Sequence, residues 1–153
     1  MTPKTAESKF ADLRYPATRH EPAPLPDRFA GSERARLSRP ALRAFLNIMR
    51  RWSIKDAEAR QLLGGIAPST LHGYKRNPDR VLDQDKLTRI SYLVGIFKAL
   101  HVLHGEELAD RWIMLPNHNR IFGVRSPLDY MLQGGIPAMQ TVRRLLEARR
   151  GHA

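Results

Sequence analysis

The chain has 153 residues, enough for one domain or a small pair of domains with a modest core. Its 26 Lys and Arg against 15 Asp and Glu leave a net charge of +11, which points to a polyanionic partner, nucleic acid before membrane. Cysteine is absent, which excludes a disulfide framework, a cysteine-based zinc finger and a thiol nucleophile. No apolar run approaches the ~18 residues of a membrane span, and no apolar secretory core opens the chain, so a cytoplasmic location is expected.

Residues 1–38 carry Pro3, Pro16, Pro22, Pro24 and Pro26 among charged and small residues, with no sustained apolar period, and are expected to form a flexible basic arm. From Ser38 the pattern becomes helical. Ser38 reads as an N-cap with Pro40 in the first turn, and Leu42, Phe45, Leu46 and Met49 fall on one face. Trp52 is expected to pack where that helix ends. Ser53 then reads as the cap of a second helix running to Leu63, with Asp56 in the capping-box position.

The stretch "LLGGIAPSTLHGYKR", Leu62 to Arg76, breaks at Gly64-Gly65 and restarts at Pro68-Ser69-Thr70. Asn77-Pro78-Asp79 is a stop signal. Asp83 or Gln84 opens the longest predicted helix, with Leu87, Ile90, Leu93, Phe97 and Leu100 as its core stripe. Gly105 ends it. A short helix over 106–115 should place Leu108, Trp112 and Leu115 on one side, and Pro116 to Asn119 form a loop. Ser126-Pro127-Leu128-Asp129 is a helix start, Gly134-Gly135 a stop, and Pro137 begins a last helix whose apolar face holds Met139, Val142, Leu145 and Leu146. No segment alternates with period two. The expectation is an all-α chain of about seven helices, divided into the arm over 1–38, a unit over 39–80 and a second helical unit over 81–153.

The quoted stretch has the parts of a helix-turn-helix: apolar residues to hold two helices at an angle, a tight turn, and small polar residues opening the second helix. Leu62, Leu63, Ile66, Leu71 and Tyr74 supply the inner contacts. Ser69 and Thr70 suit phosphate contact at a helix start. His72 and Lys75 are placed for base edges or backbone, Gly73 permits close approach, and Arg76 suits a guanine or a phosphate. Lys55 is a candidate phosphate clamp. The competing reading is an α-hairpin within a bundle, its Lys75-Arg76 only complementing a helix C-terminus.

Catalysis finds no support in the pattern. His101 and His104 stand at i, i+3 near carboxylates, but their spacing is not that of a zinc-protease helix, and His101 lies by the core stripe. No Gly-rich phosphate loop follows a strand. No cofactor and no metal are expected.

Two blocks carry a resemblance to a family. "RRWSIKDAEARQLLGGIAPSTLHGYKRNPDRVL" resembles the Trp-led helix-turn-helix of the Xre/MbcA/ParS antitoxins, and "DRWIMLPNHNRIFGVRSPLDYMLQGG" is similar to their C-terminal signature, with Trp112, Pro116, Asn117, Phe122, Gly123, Ser126, Pro127, Leu128 and Gly134 at its positions. There are departures: Tyr74 stands where Trp is more usual, His72-Gly73 replace bulkier polar residues, and Val124 takes the place of a second Gly. The resemblance implies an antitoxin that blocks a RES-domain toxin consuming NAD⁺, represses the shared operon at its operator DNA, and works as a homodimer or a larger hetero-oligomer with the toxin. It places the toxin contact at Gly134 to Arg150. There Arg143, Arg144, Arg149 and Arg150 form a cationic helix end suited to acidic residues at a cleft rim. The alternative is a free-standing transcriptional regulator whose last unit senses a ligand or dimerises.

Overall fold

The computed structural model describes residues 31–151. Most of the region expected as an arm therefore lies outside the described residues, and the remainder, from Gly31, is helical. The order is α1 (Gly31–Arg51), α2 (Asp56–Leu62), α3 (Pro68–Arg76), α4 (Gln84–Leu103), α5 (Glu106–Arg111), a 3₁₀ turn at Trp112–Met114, and α6 (Pro127–Gly151). No strand occurs among the described residues.

Two expected helix starts are corrected. Ser38 does not cap α1; it sits a full two turns inside it, buried. Its hydroxyl donates to the Arg34 carbonyl and accepts the Leu82 N–H at 2.8 Å, tying α1 to the segment that enters α4. Pro40 is exposed in the helix interior, where it removes one helical bond but displaces no packed side chain. The first turn is instead supported by Glu33, whose carboxylate accepts from Arg36 at 2.7 Å; that bond holds the Glu33 carboxyl below its ordinary range.

Ser53 does not cap α2 either. It ends α1 in the left-handed region (φ 54°). Its N–H reaches the Arg50 carbonyl at 3.1 Å and that of Ile54 reaches Met49 at 2.9 Å, the paired bonds of a Schellman ending. The cap of α2 falls two residues on, where the Lys55 N–H donates to the Glu58 carboxylate at 3.2 Å.

The same Schellman pairing closes α2, with Gly64 N–H to Gln61 and Gly65 N–H to Arg60. Gly64 takes φ 93° and Gly65 φ 86°, conformations that a Cβ would strain, which is why the break falls at this pair. Ser126 caps α6 as its motif requires, its hydroxyl accepting the Asp129 N–H at 3.1 Å. Gly135 (φ 62°, ψ −143°) breaks α6 into two helical parts, so the expected stop and restart are both present.

One continuous core joins these pieces. Leu42 and Phe45 from α1 and Trp52 just after it join one cluster with Leu93, Ile96 and Leu100 of α4 and with Ile113, Phe122, Leu128, Met139 and Leu146 beyond it. α4 is buried along its length because α1, α5 and α6 pack around it. The Gln61 side chain adds a bond from α2 to the Leu132 carbonyl of α6 at 2.9 Å.

Candidate functional site

α3 is nine residues long and begins with Pro68 at its first helical position, the ring presetting the backbone where an N–H has no helical partner. Leu71 and Tyr74 are buried and fix its rotation. At about 100° per residue, that leaves Ser69, His72 and Arg76 on the opposite face, and all three are exposed. Thr70 and Gly73 are half-buried at the margins. The arrangement is a polar, cation-ended surface on a helix pinned from behind.

Lys75 and Lys55 fall differently. Lys75 is exposed at the edge facing α2, where its Nζ lies 2.6 Å from the Asp56 carboxylate. Such an exposed pair is worth at most about 1 kcal/mol, so a phosphate can compete for the ammonium. Lys55 is exposed at the start of α2.

Two features escape sequence reasoning. Arg80 folds back over α3, its guanidinium 3.5 Å from where a Gly73 Cβ would stand. Gly73 thus makes room for a second arginine beside Arg76. The loop carrying Arg80 is itself held, by an Arg39–Asp79 ion pair at 2.7 Å and by the Asp79 N–H donating to the Asn77 side chain at 3.0 Å. The second feature is a shallow groove of about 590 Å³ lined by Arg43, Leu46, Arg50, Lys75 and Pro78. Arg43 and Arg50 are seven apart on α1 and both exposed, a spacing that could have exposed the shared face from sequence alone.

In the second half, the expected partner residues are not equivalent. Gly134 lies against Ala138: a Cβ there would stand 2.6 Å from that methyl, so the position is needed for packing beside the Gly135 break. Arg143 is engaged within the chain. Its Nε donates to Glu147 at 2.8 Å, its guanidinium lies over the Tyr92 ring, and it fills the space that a side chain at Gly95 would take. Arg144, Arg149 and Arg150 are exposed and make no ion pair among the described residues.

His101 is engaged too. Its Nε2 lies 3.1 Å from the Asp110 carboxylate, its Nδ1 2.9 Å from the Phe97 carbonyl, and its ring packs on Phe97. Arg51 meets the same Asp110 at 2.9 Å, so the end of α1 is tied to α5 through this carboxylate.

The expected apolar side of the 106–115 helix is corrected. Trp112 is buried, but Leu108 is 45% and Leu115 37% exposed. α5 ends at Arg111 and the chain tightens into the 3₁₀ turn, which changes the angular step per residue and swings Leu115 out of phase with Trp112.

No helix among the described residues is long and apolar enough to cross a membrane. Residues 28–95 match the antitoxin Xre-like helix-turn-helix domain, and residues 98–151 match the antitoxin Xre/MbcA/ParS C-terminal toxin-binding domain. The two matches meet within α4, so one helix serves both units. The chain is also 39% identical over 111 residues to the uncharacterized protein y4oB of Sinorhizobium fredii, covering 72% of this chain and 84% of that protein.

Proposed function

The chain belongs to the Xre/MbcA/ParS antitoxin family, and from that premise we propose that it neutralises a RES-domain, NAD⁺-consuming toxin and represses the operon encoding both. An antitoxin of this family joins a DNA-binding helix-turn-helix to a toxin-binding domain, and both are present here. Repression places α3 in the major groove, with Ser69 and Thr70 on phosphate and His72 and Arg76 at base edges. Arg80, Lys55 and the Arg43–Arg50 face then follow the flanking backbone, with Lys75 exchanging Asp56 for a phosphate. The operator is a two-fold site read by two copies, whether paired directly or through the toxin complex.

The observation that carries the DNA reading is the orientation of α3: Leu71 and Tyr74 buried, Ser69, His72 and Arg76 presented. For the toxin, Arg144, Arg149 and Arg150 remain free to meet acidic groups at the rim of a dinucleotide cleft, with Arg143 and Gly134 shaping the helix that carries them.

A co-expression experiment tests the proposal. The product of the adjacent reading frame is induced alone and together with this chain, and growth and cellular NAD⁺ are followed. Arrest with NAD⁺ loss, rescued by this chain in a co-purifying complex, is the expected result. Arrest without NAD⁺ loss would remove the RES assignment while leaving an antitoxin. No toxicity and no complex would leave a DNA-binding regulator.

A further inference from the structure

The toxin-binding match spans residues 98–151, and the exposed apolar side chains are concentrated in one part of it. Apart from Val81, every exposed large apolar residue of the described chain lies between Val102 and Val124. None lies on α6, whose large apolar residues are buried or half-buried, most of them in the core. A stable protein interface has an apolar, water-excluding centre. The only part of the matched segment that offers one is α5, the 3₁₀ turn and the loop after it.

That surface is preformed. Leu108 and Leu115 line an open groove with Gly105, Glu106, Glu107 and Arg111, an apolar floor with a charged edge. The following loop closes through the Asn117 N–H to the Arg125 carbonyl at 3.1 Å, and Phe122 docks it edge-on against Trp112 with ring centres 6.1 Å apart. Ile121 and Val124, which flank Phe122, are left facing outward. Two turns stiffen it further, with Asn117 accepting from the Asn119 N–H and Asn119 from that of Ile121. A surface already ordered loses little freedom on binding.

Val124 supplies the second observation. It is 59% exposed and holds φ 71°, a conformation strained for a β-branched residue. Glycine would serve the backbone better, so the free chain's backbone gives no reason for an exposed valine here.

We propose that Leu108, Leu115, Ile121 and Val124 form the apolar centre of the toxin interface, and that α6 contributes only its cationic rim. The occupant is the toxin rather than a second copy, because the surface falls within the toxin-binding segment and outside the helix-turn-helix match. This rests on the antitoxin reading.

The test uses the full chain co-expressed with the product of the adjacent reading frame. Leu108→Asp combined with Val124→Asp places charges at the two most exposed of the four positions, 45% and 59% exposed, and aspartate tolerates the left-handed backbone at 124, so helicity and operator affinity should stay within twofold of the parent. Toxin affinity should fall about 30-fold or more, the scale of losing an interface anchor. Val124→Gly should raise Tm by about 2–5 °C while lowering toxin affinity, a pairing of signs that a merely structural loop would not produce. Toxin capture unchanged in the Asp double variant would overturn the proposal. So would a parent chain that sediments as a dimer and a double variant that sediments as a monomer, which would give the face to a second copy. If the parent itself captures no toxin, the antitoxin reading falls, and this inference with it.

Discussion

The two halves of the chain expose opposite kinds of chemistry. On α3 every exposed position is polar, charged or proline, and the large apolar side chains Leu71 and Tyr74 are turned inward. Between Val102 and Val124 the pattern reverses: large apolar side chains stand in water while their neighbours Trp112, Ile113 and Phe122 are buried. Both surfaces rest on the same core and share α4. The proposed partners account for the difference. A phosphate backbone is met by cations and hydrogen-bond donors, whose affinity weakens with salt; a folded protein is met by an apolar centre, which salt hardly weakens.

The largest expected effect breaks one half without the other. Arg76→Ala should weaken operator binding by roughly 1–3 kcal/mol, about 5- to 150-fold, with thermal stability and toxin capture unchanged. Lys75→Ala should cost less, because Asp56 already holds the ammonium in the free chain, and should reduce the salt slope by about one phosphate contact. Fluorescence anisotropy on an operator duplex across a salt series reads both. If Arg76→Ala binds like the parent at every salt, α3 is not the recognition helix.

Next in size is a change that touches neither surface. Ser38→Ala removes the acceptor of the Leu82 N–H in a buried setting, and a buried donor left without a partner costs roughly 1–3 kcal/mol. Urea denaturation should show the midpoint lowered with an unchanged slope. An unchanged midpoint would mean that water takes over the bond and that the α1–α4 tie carries no stability.

A matched pair of positive-φ positions then sharpens the contrast between the halves. Gly64→Ala, at φ 93°, should destabilise by about 1–2 kcal/mol. Val124→Gly, at φ 71°, should stabilise by about 0.5–1 kcal/mol once the looser unfolded chain is allowed for. Equal signs in thermal melts would show that the loop at Val124 relaxes in solution and stores no strain.

How far the sequence reaches is visible at particular residues. α4 was legible because Leu87, Ile90, Leu93 and Leu100 repeat over about four turns and all are buried. The start of α6 was legible because Ser126-Pro127 act on backbone groups within three residues. The exposed face of α3 followed from Leu71 and Tyr74 alone. What failed depended on distant partners. Ser38 has the chemistry of a cap, but its bond goes to Leu82, 44 residues away. Lys75 looked free because Asp56 is 19 residues earlier. Leu108 and Leu115 looked like core because apolarity gives no account of where the core ends, and a 3₁₀ turn shifts the phase after Arg111.

The smallest effect concerns the entry to α4, the helix both halves share. Asp83 caps it, accepting from the Lys86 N–H at 2.9 Å and from its Nζ at 2.7 Å. The side-chain bond from Lys86 and then the backbone one hold the Asp83 carboxyl below its ordinary range, and the same contact with Asp83 raises the Lys86 ammonium. Because the folded-state value is the lower one, this stability is fully present above the ordinary aspartate range and is lost as pH falls through the depressed value. The carboxylate is half in water, so the charge contributes only a few tenths of a kcal/mol. Asp83→Asn keeps a capping oxygen but not the charge. It should sit slightly below the parent at neutral pH and converge with it in acid, as judged by urea midpoints at matched pH. A difference that persists in acid would assign the loss to cap geometry rather than to the Lys86 pair.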